Sequence, residues 1–347
     1  MTLRDTLEHL LSGKSLSEAE ASDLLRALTA SDTPPPLAGA LLASMRSKGV
    51  TADEVRGFAR AMRALARQPA IAANPDAIDI VGTGGDSSGS FNLSTGAALL
   101  TAACGVDVVK HGNRSVSSKS GSADVLEQLG LKLPLDEAAA GACLAATRFT
   151  FLFAPHYHPA MKAVAPIRQA MGVRTVFNIL GPLTNPAAPK YQLTGAFNLS
   201  TAQLMADALS GLSVERAFVV HGAEGWDEPT PMGPFTVLDV RPGKVSASIR
   251  SPSDYGLDLC GATDLAGGDA ASNARALRAV LCGADRGAHR DALLLGTALA
   301  LEIVGRVSDP REGVRIAAEA IDSGAARRTL DAIASFGRSS HGKEGAA

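Results

Sequence analysis

Between Ile78 and Glu127 the chain runs twice through one pattern: a short apolar segment, a polar glycine-rich loop, then a helix-forming stretch. Ile78-Asp79-Ile80-Val81 leads into Gly82-Thr83-Gly84-Gly85-Asp86, and Val106–Val109 leads into K-H-G-N-R-S-V-S-S-K-S-G-S at 110–122. Strands alternating with helices in this way argue for an α/β domain built on a largely parallel sheet. Loops of this make-up expose many backbone N–H groups and short hydroxyls at one point, which is what a phosphate or pyrophosphate needs. Two of them, joined by an apolar helix over Thr95–Cys104, point to a ligand phosphorylated at both ends.

The first 70 residues have a different texture. Leu3, Leu7, Leu10 and Leu11 recur at helical spacing. Ser15 with Glu18, and Thr51 with Glu54, read as capping boxes opening the second and fourth helices. Pro34–Pro36 lead into a helix through Leu41 and Met45, and Pro69 and Pro75 mark a linker. The expectation is a small all-helical domain over 1–70, an α/β domain over 76–337 and a polar tail over 338–347. Further strands are expected at Phe149–Phe153, Gln192–Gly195, Arg216–Val220 and Thr236–Val240. Ser122 or Ser120 is placed to cap a helix over Ala123–Leu129, ended by Gly130. Helices near 271–283, 288–304 and 310–335 close the domain, the last broken at Gly324. The segment His158–Gly181 has helical spacing without strand character, and is expected to pack back on the N-terminal helices.

Composition narrows the function. The net charge of −2, from 33 basic and 35 acidic residues, disfavours general nucleic-acid binding while leaving room for a local basic pocket. Cys104, Cys143, Cys260 and Cys282 fit no zinc or C-x-x-C spacing and read as buried reduced thiols. No apolar leader opens the sequence, and the apolar stretch Ala292–Leu301 is too short to span a bilayer. A cytoplasmic protein with no membrane partner is the expectation.

Within loop one, the glycines permit positive φ and close approach of backbone to ligand. Asp86 orients the loop, binds a sugar hydroxyl or holds a phosphate-bound metal, and Asn92, Ser94 and Thr95 open the next helix at the positive end of its dipole. Loop two gathers Lys110, His111, Asn113, Arg114, Ser115, Ser117, Ser118, Lys119 and Ser120. Charge-assisted hydrogen bonds from such cations to phosphate are worth about 1.5–3 kcal/mol each. His111 is either a neutral hydrogen-bonding group or an acid–base catalyst. A third motif, H-G-A-E-G-W-D-E at 221–228, sets Glu224, Asp227 and Glu228 after a strand. Adjacent carboxylates there suit Mg²⁺ shared with substrate phosphates, or form a solvated acidic turn. Arg168, on a helix, reads as a carboxylate clamp or a surface arginine.

GTGGDSSGSFNLST, VVKHGNRSVSSKSGSADVLEQLG, FLFAPHYHPAMKAVAPIRQAMGVRTVFNILGPLTNPA and HGAEGWDE, in that order, resemble the anthranilate phosphoribosyltransferases over essentially the whole chain. The resemblance implies transfer of phosphoribose from 5-phosphoribosyl 1-pyrophosphate to anthranilate in tryptophan biosynthesis, with Mg²⁺. It also implies the fold shared with pyrimidine nucleoside phosphorylases, and a homodimer formed through the helical domains. Matched by motif, Gly82, Gly85, Asp86, Ser90, Asn92, Ser94, Thr95, Lys110, Asn113 and Ser118 surround the donor, with Ser122 a further contact. Leu93, Gly112, Val116 and the remaining loop-two residues His111, Arg114, Ser115 and Ser117 complete the expected substrate site. Ser94, Asp227 and Glu228 match metal positions, and Gly82, Asn113 and Arg168 match anthranilate contacts; Lys110, His111 and Arg168 are the candidate catalytic residues. The chain departs from the family pattern at Ser87-Ser88 and at Pro229-Thr230. Two other readings are a pyrimidine nucleoside phosphorylase and a non-catalytic nucleic-acid-binding relative of the fold.

Overall fold

The computed structural model describes residues 1–30, 32–85, 88–115 and 119–339. Four helices come first: α1 (Leu3–Leu11), α2 (Glu18–Thr29), α3 (Pro35–Lys48) and α4 (Ala52–Ala64). Capping boxes start three of them, at Thr2/Asp5, Ser17/Glu20 and Thr51/Glu54. The expected Ser15/Glu18 pair is therefore displaced by two residues. Glu18 is already the first helical position, and only Ser17 has the extended backbone that lets its hydroxyl accept from Glu20 N.

Glu54 has a second task. Its carboxylate is fully buried and accepts from Leu16 N (2.9 Å), Thr51 N (2.8 Å) and the Lys48 ammonium (3.1 Å), tying the start of α4 to the entry of α2 and the end of α3. Removing one partner of a buried charge pair strands the other, at a cost of about 3–5 kcal/mol. Glu54→Ala is expected to lower unfolding stability by that amount in a urea titration. A loss below about 1 kcal/mol, the range of exposed pairs, would contradict it.

The α/β part alternates β1 (Ile78–Gly82), α5 (Leu93–Ala103), β2 (Val108–Gly112), α6 (Ser122–Gln128), α7 (Glu137–Thr147) and β3 (Phe149–Phe153). After α8 (Ala154–Tyr157), α9 (Met161–Met171) and α10 (Phe177–Leu180) come β4 (Tyr191–Gly195), α11 (Leu199–Ser210), β5 (Arg216–His221), β6 (Phe235–Arg241) and β7 (Lys244–Arg250). Helices α12 (Ala270–Leu281), α13 (Ala288–Ile303), α14 (Pro310–Asp322) and α15 (Ala325–Ser339) finish the chain. The seven-stranded sheet has the order β3-β2-β1-β4-β5-β6-β7, parallel through β5, with β6 and β7 antiparallel at one edge.

The sheet divides the apolar core. In β5, Phe218 and Val220 join the cluster of α5, α7 and α12–α15, while Ala217 and Val219 face the cluster of the N-terminal helices, α10 and α11. That second cluster also takes Val164 of α9 and Val176, Phe177, Ile179 and Leu180, and α9 packs against α2 and α3. Nine of the eleven residues of α5 are buried, as expected of a helix enclosed on all sides.

Several sequence expectations shift. Strand β7 was not expected: its side chains are mostly exposed, so K-V-S-A-S-I-R lacks the apolar alternation that marks a half-buried strand. Its lysine and arginine suit an edge. Gly121, not Ser120 or Ser122, caps α6, with Asp124 accepting from Gly121 N at 2.9 Å. Only Cys143 of the four free cysteines is buried, and Cys282 is exposed. No helix among the described residues is long and apolar enough to cross a membrane.

Candidate active site

The carboxyl ends of β1 and β2, the start of α5 and the turn after β5 open into one cavity of about 490 Å³. Ligands of open α/β sheets sit in that position, outside the strand ends where the strand order reverses. Gly82, Gly85, Ser90, Asn92, Leu93, Ser94 and Thr95 line it from loop one. Lys110, His111, Gly112, Asn113, Lys119, Ser120 and Ser122 line it from β2 and loop two, and Asp227 and Glu228 from the acidic turn. Three motifs separated by up to about 140 residues thus face one space. Asp86, Val116, Ser117 and Ser118 lie outside the described residues.

Loop one is anchored on three sides. Asp227 Oδ2 accepts from Gly84 N at 2.5 Å and from Thr83 Oγ1 at 3.2 Å, and Arg174 Nη2 donates to Gly85 O at 2.5 Å. Gly84 and Gly85 take φ of +70° and +76°, a backbone that L side chains rarely adopt, which turns the loop across the strand ends. On the third side Phe91 N donates to Leu265 O and Gly267 N to Gly89 O.

Lys110 and His111 belong to the strand, not to the loop. The sequence reading ended β2 at Val109, because a lysine and a histidine do not look like buried strand residues, yet both are almost fully enclosed. Lys110 Nζ donates to Ile80 O and to Ser94 Oγ (3.3 Å), under the cavity floor. Burial pulls its pKa down, opposed by the charges of Asp79 and Glu228, while burial pushes Asp79 up to about 6, opposed chiefly by Lys110. His111 Nδ1 lies 3.1 Å from Gly181 O. A carbonyl only accepts, so Nδ1 carries the proton and Nε2 keeps a lone pair with no partner among the described residues. Burial, helped by the nearby His158, pushes the His111 pKa down to about 3. At neutral pH it is an uncharged imidazole.

Other expected residues stand apart. Arg114 is held by Glu127 (2.5 Å) and Asp124 (3.1 Å) and lies over the Phe153 ring, so its charge serves the loop's own helix. Ser115 N donates to Asp124 Oδ2 (3.1 Å), and neither Arg114 nor Ser115 lines the cavity. Glu224 sits exposed at φ +56° and is likewise outside it, leaving Asp227 and Glu228 as the lining carboxylates among the described residues. Arg168 does not line it either; its guanidinium lies 5.3 Å from the Phe177 ring centroid with no carboxylate partner among the described residues, and burial lowers its pKa.

The sequence reading missed Asn273 and Gly268. Asn273 Nδ2 donates to Asn92 Oδ1 at 2.7 Å, and its Oδ1 accepts from Gly268 N at 2.7 Å, which binds the entry of α12 to the entry of α5. The one available signal was the G-G-D-A-A-S-N run at 267–273.

Comparison with known proteins gives this site a context. A glycosyl transferase family α/β-domain model matches residues 74–327, and the helical-bundle-domain model of the same family matches 4–66. Anthranilate phosphoribosyltransferase of Desulforudis audaxviator is 48% identical over 335 residues, covering 96% of each chain. The chain belongs to the anthranilate phosphoribosyltransferase family. A Rhodopseudomonas palustris family member is 46% identical over 92% of this chain and 93% of its own. Among solved structures, anthranilate phosphoribosyltransferase of Thermus thermophilus superposes with a TM-score of 0.90 at 41% identity, covering 96% of this chain and 99% of that one. The Saccharomyces cerevisiae anthranilate phosphoribosyltransferase in complex with PRPP and Mg superposes at 0.87 with 28% identity, covering 97% and 98%.

Proposed function

We propose that the protein joins the amine of anthranilate to C1 of 5-phosphoribosyl 1-pyrophosphate and releases pyrophosphate, with Mg²⁺ assistance. The observation that carries this reading is the meeting of both glycine-and-serine loops and the Asp227–Glu228 pair at one cavity. Loop-one amides, Asn92, Ser94, Thr95, Asn113, Lys119 and Ser122 hold the donor. The donor set fits Mg²⁺: two carboxylates and the Ser94 hydroxyl face the cavity, and Mg²⁺ takes one or two carboxylates plus substrate phosphate oxygens rather than a full protein cage. When bound, the ion supplies charge neutralisation on the departing pyrophosphate.

The residues of the chain do the rest. An aromatic amine is neutral at physiological pH, so attack on C1 needs positioning more than a strong base. His111, neutral and with Nε2 open, offers a hydrogen-bond acceptor to the amine rather than a base of matched pKa. Lys110, buried beneath Ser94, supplies positive potential from below. Arg168 lies against the Phe177 ring with no acidic partner among the described residues and is partly desolvated, which suits a guanidinium awaiting a carboxylate. Arg168→Ala is expected to raise the anthranilate KM tenfold or more, by roughly the worth of a charge-assisted bond, and the donor KM little. Equal rises would remove the clamp.

Loss of anthranilate fluorescence on adding donor and Mg²⁺ tests the function directly. Phosphorolysis of thymidine or uridine without such loss would favour a nucleoside phosphorylase instead. We assign the protein to the cytoplasm, the helical unit to residues 1–70 and the α/β unit to 76–337. Pairing of two copies through the helical unit is part of the same proposal and rests on the family resemblance.

A further inference from the structure

Strands β1 and β2 pair at a single position, Ile78 opposite Val108, whereas β1 pairs with β4 at five. The next step of a parallel ladder would join Ile80 N to Val109 O and His111 N to Ile80 O. Side chains take three of those four backbone groups instead. His111 N donates to Asp79 Oδ1 (3.2 Å), Ile80 O accepts from Lys110 Nζ, and Val109 O accepts from Asn185 Nδ2 (2.8 Å). The same Asn185 amide donates to Asp79 Oδ2 (2.9 Å), and its Oδ1 accepts from Ala187 N (3.0 Å). Asp79, Lys110 and Asn185 are each at most 1% exposed. Three buried polar side chains therefore fill the gap where two strands separate, immediately beneath the two loops those strands feed.

We propose that Asp79 and Asn185 are positioning residues for donor binding: with Lys110 they form a wedge that sets the distance between the carboxyl ends of β1 and β2. The proposal rests on reading the cavity as the donor's cradle. A fully zipped ladder would bring Ile80 and Lys110 into register and draw loop one and loop two together. Hydrogen-bonded strands lie about 4.8 Å apart, too close for a sugar flanked by two phosphate groups to sit between their loops. A satisfied polar network holds a spacing that apolar side chains would close, because each member has one partner geometry and a high cost if left unpaired. Asn185 lies in the segment after α10, so the wedge also couples loop two to the helices beside Arg168 and Phe177.

The test uses two variants, one at each end of the wedge, in the full-length protein. Asp79→Asn keeps size but leaves one acceptor oxygen for two donors, His111 N and Asn185 Nδ2. Asn185→Ser removes the bridge between Asp79 and Val109 O. Each is expected to raise the donor KM about tenfold, the worth of one charge-assisted hydrogen bond, with the anthranilate KM within about twofold. Calorimetric affinity for the donor with Mg²⁺ should fall in parallel in a variant that still unfolds in one cooperative transition, at a lowered thermal midpoint because each change leaves a buried polar group short of a partner. Unchanged donor affinity in a folded variant, or equal shifts in both KM values, overturns the wedge. If Asp79→Asn does not fold, Asn185→Ser decides alone; if neither folds, the pair is a folding element and the positioning role is wrong. Wild-type protein that binds the donor but performs no transfer would sink the proposed function and leave the wedge to be judged by calorimetry.

Discussion

Asp227→Ala/Glu228→Ala is expected to reduce kcat/KM by about 10³-fold or more, the scale on which developing charge loses its stabilisation when a preorganised group is removed. The two side chains contribute differently. Glu228 lines the cavity and its charge reaches the buried Lys110, so its loss removes negative potential from the side of the cavity proposed for Mg²⁺. Asp227 additionally fastens loop one through Gly84 N and Thr83 Oγ1, so alanine there frees the loop as well as removing a carboxylate. The conservative variants separate these effects. Asp227→Asn keeps an oxygen for Gly84 N, and should keep the loop anchored while losing activity. Glu228→Gln should raise the Mg²⁺ concentration needed for half-maximal rate. The fluorescence assay over a Mg²⁺ titration reads all of them. A double variant retaining more than about a tenth of wild-type activity at any Mg²⁺ level would show that the acidic pair is not the metal site, since that loss is less than about 1.4 kcal/mol.

Gly195→Ala should do comparable damage without touching a polar side chain. Gly195 ends β4 opposite Gly82 of β1, and the backbone of Asp227 crosses directly over both. An added methyl at Gly195 would overlap the Asp227 carbonyl, and one at Gly82 would come within 2.7 Å of its Oδ2. The first neighbour is backbone, and the second is held by Gly84 N and Thr83 Oγ1. Thr83 N donates to Gly195 O (3.1 Å), and Gly222 N to Trp226 O (2.9 Å), so the loop and the turn are both pinned. Overpacking of this kind costs about 1–3 kcal/mol in stability, and the forced shift of Asp227 removes catalytic geometry, where 1 Å can cost about 10²-fold. We expect kcat/KM to fall by about that factor and the thermal midpoint to drop. Gly39→Ala is the control: Gly39 lies in α3 with nothing within 4 Å of the added carbon, and helix propensity favours alanine by about 0.5–1 kcal/mol. Full activity in Gly195→Ala would mean that the Asp227 backbone has room to move.

Much of the site was legible because its chemistry is concentrated in short runs. Loop one, loop two and the Asp227-Glu228 turn each stood out by composition, and the cavity joins them. Arg114 shows where composition misleads: it stands among phosphate-seeking residues but is held by Asp124 and Glu127 of the helix that follows its own loop. Asn273 and Asn185 were invisible for the opposite reason. Each is a single amide whose sequence neighbours do not reveal its partner, 181 and 106 residues away.

The sequence alone determined the strand–loop–helix alternation, the helical opening, the two cradles and the family, since these depend on periodicity, turn chemistry and motifs read locally along the chain. Tertiary structure decided which polar groups face the cavity and which face each other. Lys110 and His111 look like loop residues until the sheet buries them, and Asp79 looks like a stray charge in a strand until β1 and β2 part around it. The physical reason is that a buried polar group's role is set by the partner that satisfies it, and that partner is supplied by the fold.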